Sequence, residues 1–244
     1  DSYAFSQCVN LKKIYLNNDS ELDICGYCFS QSKNLSLVSF NCKQLVIREN
    51  CFKNCSSLST IEFVVSDKIQ LCRNAFTKCT SLNEISFSMS SEVLIGGKCF
   101  SGSTLNTVRF TDVKKIKFFN ESFNECSKLE NVSINKAVNL EIEGKCFQNL
   151  RNLKSIGFIT DSIILKDNFA NECSSLTFIT IKSNKGSIII YSNSFKNSCL
   201  KNVSIHAPKL KLCSQCFEEM KTLDSIKINS DDLVICSDCF KNCS

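Results

Sequence analysis

The apolar positions of this chain fall into columns. With Phe as the reference, Phe5, Phe29, Phe52, Phe76, Phe100, Phe123, Phe147, Phe195, Phe217 and Phe240 line up, with Ala170 in the one gap, at steps of 22 to 25 residues. Phe169 sits one position early, as if it had changed places with the small residue beside it. Seven residues before each anchor stand Leu22, Leu45, Ile69, Val93, Ile116, Leu140, Ile163, Ile188, Leu210 and Leu233. Five before it stand Ile24, Ile47, Leu71, Ile95, Phe118, Ile142, Leu165, Ile190, Leu212 and Ile235. Six after it comes Leu, as at Leu58 and Leu82, displaced by one at Leu105 and Leu200.

Each column predicts a local element. The stretch from Leu58 through Ile61 to Phe63 ends in apolar–polar alternation, the mark of a strand with one buried face. Leu45-Val46-Ile47 alternates in the same way and predicts a second short strand. Between such strands, Asn50 to Ser57 is polar apart from Phe52 and its cysteines, and is expected to form a short helical turn or tight corner. One unit of this size has too little apolar surface to fold alone, whereas stacked units share a continuous core. The expected architecture is a solenoid of about ten units of 22–25 residues, mostly short parallel strands, wound as a curved right-handed superhelix. The array is expected to run as one domain over residues 1–244. Both ends stop in mid-repeat, so it reads as a piece of a longer protein without its caps.

The motif within the columns resembles the BspA-like, or Treponema pallidum-type, leucine-rich repeats. The residues that carry the resemblance are Ile95-Gly96-Gly97-Lys98-Cys99-Phe100 in one unit and Cys51-Phe52-Lys53-Asn54-Cys55-Ser56-Ser57-Leu58 in another. It covers essentially the whole chain. Two features depart from it: the strand-end Pro is almost absent, and the Gly survives only at Gly96. The resemblance implies a leucine-rich-repeat solenoid and a surface or secreted adhesion and recognition protein of bacteria or protists, without catalytic activity of its own.

Composition narrows the function classes. The 29 basic and 24 acidic residues give a net charge of +5, spread along the chain with no run of five like charges. With no basic stripe and no reader motif, nucleic acid is not an expected partner. No apolar run approaches the length needed to span a bilayer, so direct membrane insertion of this stretch is not expected either. The single His, His206, falls where other units carry Asn17, Asn41 or Lys182, and reads as an exposed member of a polar column. No phosphate-binding loop, nucleophile elbow or dinucleotide fingerprint is present, so neither catalytic residues nor a cofactor are expected.

Most of the 18 cysteines occupy columns too, whereas Cys42 and Cys199 fit no shared column. Three after the anchor stand Cys8, Cys55, Cys79, Cys126, Cys173 and Cys243, and one before it Cys28, Cys51, Cys99, Cys146, Cys216 and Cys239, alternating with Ser, Ala, Leu and Met. Such replacements point to compact buried thiols, and a reduced interior ladder is the primary reading. Disulfides between stacked units are the alternative, with Cys28–Cys51, Cys55–Cys79 and Cys213–Cys236 as candidates, because equivalent Cα atoms in stacked strands lie within bridging range. The Cys213-x2-Cys216 and Cys236-x2-Cys239 pairs have zinc-site spacing. The repeat period produces that spacing by itself, and no metal ligand set is predicted.

Solenoids bind on the surface where equivalent positions lie side by side. Positions eight, ten and twelve after the anchor, or one less where Leu105 and Leu200 are displaced, point outward from the strand after Leu and vary freely between units. The candidate ligand-binding residues there are the apolar Tyr15, Leu37, Val64, Ile159 and Phe178 and the polar Glu62, Arg109, Lys182 and Lys227. Ile159 and Phe178, from adjacent units, are expected to share one apolar patch. The predicted function is non-catalytic binding of a protein or glycan ligand at the cell surface or outside the cell, with a cytoplasmic protein–protein scaffold as the alternative. Seven Asn-x-Ser/Thr sequons, Asn18, Asn34, Asn54, Asn120, Asn131, Asn202 and Asn242, give secretion weak support in a chain rich in Asn and Ser.

Overall fold

The computed structural model describes residues 1–243. In chain order the strands are β1 (Lys13–Asn17), β2 (Glu21–Ile24), β3 (Leu37–Ile47), β4 (Thr60–Leu71), β5 (Glu84–Ser88) and β6 (Glu92–Ile95). They continue with β7 (Thr107–Thr111), β8 (Lys115–Phe118), β9 (Asn131–Ile142), β10 (Ser155–Leu165) and β11 (Phe178–Ser183). The last five are β12 (Ser187–Ile190), β13 (Asn202–His206), β14 (Lys209–Leu212), β15 (Ser225–Asn229) and β16 (Asp232–Ile235). All pairings are parallel and join equivalent residues of successive turns, as in Tyr15↔Ser39 and Ile163↔Ile188. Two ladders result. The first comprises β1, the opening halves of β3, β4, β9 and β10, and β5, β7, β11, β13 and β15. The second comprises the closing halves of the long strands with β2, β6, β8, β12, β14 and β16.

The expected apolar columns fill the interior. Phe52, Phe76, Phe100, Phe123 and Phe147 are fully buried, and their rings stack with centroids 5.1–5.6 Å apart. That is the offset-stacked range in which aromatic pairs attract beyond their burial. Phe169 does occupy the anchor's space from one position early. It meets Phe147 and Phe195 edge-on, at 87° and 82°, while Ala170 keeps the main-chain register through its N–H to Ser194 O.

The corners differ from expectation: they contain no helix among the described residues. The residues two before and two after every anchor have φ near +60°, as at Asn50 and Asn54 around Phe52 and at Asn168 and Glu172 around Ala170. A left-handed residue every fourth position prevents the i→i−4 ladder of a helix. Alternate N–H groups turn instead along the solenoid axis. Tyr27, Phe29 and Gln31 donate to Glu49, Cys51 and Lys53 of the next turn, while Ser30 and Ser32 close local turns onto Tyr27 and Phe29. Each corner is thus a run of tight turns that extends the parallel hydrogen bonding around the edge.

Thiols complete the corners. Cys55, Cys126 and Cys173 donate from Sγ to the carbonyls of Phe29, Phe100 and Phe147, the anchor of the preceding unit, at 3.0–3.1 Å. Ser32 does the same to Phe5 at 2.9 Å. The column that alternates Cys with Ser is therefore a donor column as well as a small-residue column.

Candidate recognition face

The first ladder presents three outward rows, fixed by its register. One runs Glu84, Thr107, Asn131, Ser155, Phe178, Asn202 and Ser225. The middle row runs Ser86, Arg109, Ser133, Gly157, Thr180, Ser204 and Lys227. The third runs Ser88, Thr111, Asn135, Ile159, Lys182, His206 and Asn229. Neighbours in a row are about 4.8 Å apart, and rows are about 6.6 Å apart, two residues along a strand.

These rows form a shallow trough. Ser133, Gly157, Thr180 and Ser204 make a floor of small residues, and a Cβ placed on Gly157 would meet nothing within 4 Å. Phe178, 45% exposed, rises on one side, and Ile159, Lys182 and His206 rise on the other. Arg109 and Lys227 stand at the two ends. Arg109 leans toward Glu84 at 3.4 Å, with both side chains largely solvated, so the pair restrains its position without neutralising it strongly.

The remaining candidates lie nearer the N-terminal end. Tyr15 is exposed and shares the middle row with Ser39 and Glu62. Leu37 is half-buried between Lys13 and Thr60, and Val64 is exposed beside Asn41. The expected apolar patch of Ile159 with Phe178 is not formed. Ile159 pairs with Lys182 and Phe178 with Ser155, at opposite ends of their strands, about 13 Å apart by strand rise. Their offsets from the anchors, twelve and eight, place them in different rows.

Sequence reasoning missed the second ladder's outer row. There Ile164 and Ile189 lie side by side and half-buried, and Lys117 bridges Glu141 and Glu143 at 3.3 Å each. The signal was available, since both isoleucines stand six before the anchor in a column that mixes apolar Val46, Leu94 and Val234 with polar Asp23, Gln70, Lys117, Glu141 and Lys211, and only here are two adjacent units both apolar. The cysteine pairs near the C-terminal end also separate by environment. Cys216 and Cys239 are buried with Sγ atoms 3.2 Å apart, whereas Cys213 and Cys236 are half-exposed.

Stacked parallel turns, a Phe–Leu core and a variable outer strand face define a leucine-rich-repeat solenoid. The chain belongs to the BspA type leucine rich repeat family, whose six-copy profile matches residues 1–119, 47–169 and 116–244. It is accordingly a repeat protein of the binding and recognition class. Among solved structures it is similar to a leucine-rich repeat protein from Bacteroides ovatus, at 14% identity over 96% of this chain and 85% of that one, with a TM-score of 0.35. It is also similar to a leucine rich cell surface protein from Faecalibacterium prausnitzii, at 15% identity over 89% of this chain and 79% of that one, with a TM-score of 0.34. No curated protein matches the sequence. Among the described residues, no helix is long and apolar enough to cross a membrane.

Proposed function

We propose that this chain is a non-catalytic recognition module that binds a protein or glycan ligand along the first ladder's outer face, at the cell surface or outside the cell. One observation carries the reading: a repetitive frame with buried columns presents outward rows whose chemistry changes at every rung. The trough from Arg109 to Lys227 offers an aromatic ring, small polar floor residues and separated cations, a set suited to an elongated polar ligand. Interface energy concentrates in a few aromatic and Arg anchors, and Phe178 and Arg109 have those properties.

A second reading, an intracellular scaffold, is favoured by the thiols. A Cys that donates Sγ–H to a core carbonyl, as Cys55 and Cys173 do, loses that bond on oxidation. Such a ladder suits a reducing compartment.

The test is an array of extracellular proteins and glycans probed with the purified chain and with Phe178→Ala, Arg109→Ala and Lys182→Ala variants. The reading requires a ligand whose binding falls at least tenfold in these variants while their thermal unfolding stays unchanged. A ligand retained equally by all three, or binding lost only on changing the second ladder, overturns it. Labelling of intact source cells decides between the two locations.

A further inference from the structure

The first ladder is interrupted once. β4 pairs with β3 and β5 pairs with β7, but the opening half of β4 does not pair with β5, although the second ladder runs on unbroken through Lys68↔Glu92 to Leu71↔Ile95. Cα atoms of β4 and β5 stand more than 8 Å apart nearly throughout. Paired strands lie about 4.8 Å apart, so β4 and β5 stand well outside pairing distance along this stretch. The opening is closed at its ends by Thr80 Oγ1 donating to Ser56 O at 3.4 Å and by Ser90 Oγ donating to Val65 O at 2.6 Å. The strand stretches Thr60–Val64 and Glu84–Ser88, five residues or roughly 16 Å each, lie between.

This seam exposes two kinds of unsatisfied group. Elsewhere alternate residues of each turn bond forward and backward, as Asn18 N–H to Asn41 O and Leu37 N–H to Lys12 O show. By that alternation, the N–H groups of Ile61 and Phe63 on one side, and of Glu84, Ser86 and Ser88 on the other, face the opening without a strand partner. Apolar groups surround them. Ile61 and Phe63 are half-buried, whereas their equivalents Val38, Phe40, Ile85 and Phe87 are buried. Phe63 and Phe87 meet across the floor at 5.0 Å, and Val64 and Met89 stand exposed at the rim, 60% and 80%. A cleft of 630 Å³ adjoins the seam there, lined in part by Phe63, Val64, Ser88 and Met89.

We infer that the seam between β4 and β5 is a binding site for an extended polypeptide segment bearing an apolar side chain. The segment lies parallel to the strands and completes the ladder by main-chain hydrogen bonds. An extended polypeptide is the ligand that offers alternating donors and acceptors to both rows at strand spacing, and an apolar side chain covers Phe63. The inference deepens the recognition reading by naming a polypeptide ligand, yet it concerns a different part of the face from the trough.

Amide hydrogen exchange on the full chain tests it. The probe is a peptide copying residues 106–112, whose Thr107–Thr111 segment already pairs in parallel with β5 from the other side. The control is the same peptide N-methylated at alternate residues. In the free chain the amides of Ile61, Phe63, Glu84, Ser86 and Ser88 should exchange at least tenfold faster than their equivalents in paired turns. Saturating probe should slow them at least tenfold, and the methylated control should not. The probe's effect should weaken in Val64→Asp/Met89→Asp and persist in Phe178→Ala, so a failure of the trough reading leaves this result standing. Protection already present without probe, no slowing by the probe, or equal slowing by the methylated control overturns the inference. Protection that rises with the concentration of the chain alone also overturns it, assigning the seam to a second copy.

Discussion

Two Phe-to-Ala substitutions on one chain separate frame from face. Phe123 is fully buried, stacked between Phe100 at 5.4 Å and Phe147 at 5.1 Å, with the Phe118 ring edge-on at 5.4 Å. Truncating such a ring loses its transfer energy and leaves a cavity, together about 3–5 kcal/mol. The upper half of that range is expected, because three aromatic partners each lose ~0.5–1.5 kcal/mol of ring interaction. A stacked array holds together through nearest-neighbour interfaces. The loss at Phe123 should therefore also uncouple the turns on either side and broaden or split the unfolding transition. Phe178 bears the same side chain at 45% exposure, and its truncation should change stability by less than about 0.5 kcal/mol. Urea unfolding followed by circular dichroism measures both, since the chain lacks Trp. Hydrogen exchange then shows whether the loss in Phe123→Ala is centred on the turns around residues 100–147. Equal costs for the two variants, or a Phe123→Ala cost under about 1 kcal/mol, would refute the assignment of these rings to frame and face.

Three further outcomes follow from the same geometry. Burial pushes the thiols of Cys55, Cys126, Cys146 and Cys173 up to about 12, so at pH 8 they should resist alkylation in the native chain and react on denaturation without reductant, as counted by intact mass. Cys173→Ser should be nearly neutral, because Ser32 makes the same bond to Phe5 O, while Cys173→Ala should cost about 1–2 kcal/mol in urea unfolding for the unpaired Phe147 carbonyl. The hydrogen bond from Lys115 at 2.6 Å, aided by Lys68, holds the Glu92 carboxyl below its usual range. Its contribution is present above the ordinary carboxylate value of about 4.3 and fades as pH falls through the lowered folded value. Glu92→Gln should therefore flatten the acid limb of stability against pH while costing under about 1 kcal/mol at pH 7.

Much of the frame was legible because a column repeated in every turn outweighs any local ambiguity. The Phe anchors, the two apolar strand columns and even the early Phe169 follow from spacing alone. The corners were misread because a polar stretch around one Phe looks like a helical turn. What distinguishes it is the residue type two before and two after each anchor. Asn, Gln, Lys, Glu and Asp fill most of these positions and no β-branched residue does, as the left-handed conformation demands. The donor role of the Cys column was hidden because Ser and Cys also share small size. The seam was not legible, since Thr60–Val64 and Glu84–Ser88 carry the same alternation as their paired equivalents. Whether two strands in successive turns meet depends on how the whole turn is carried by its neighbours, and composition does not encode that.

The register also limits what kind of ligand the face can serve. Tyr15 and Phe178 lie seven rungs apart with the unpaired step from β4 to β5 between them, more than about 34 Å along the ladder at ~4.8 Å per paired rung, so no compact ligand reaches both. Arg109 and Lys227 are five rungs apart, about 24 Å. A small molecule would therefore sample only one rung pair, where a lone ring or cation gives little affinity. An elongated chain lying along the trough would engage Arg109, Phe178, Lys182 and Lys227 at once, and each added contact would act at high effective concentration. The frame holds these groups at fixed spacing before the ligand arrives, so the ordering cost falls mainly on the ligand. Affinity should accordingly rise steeply with ligand length up to about 24 Å, the span over which Arg109, Phe178, Lys182 and Lys227 are engaged in turn.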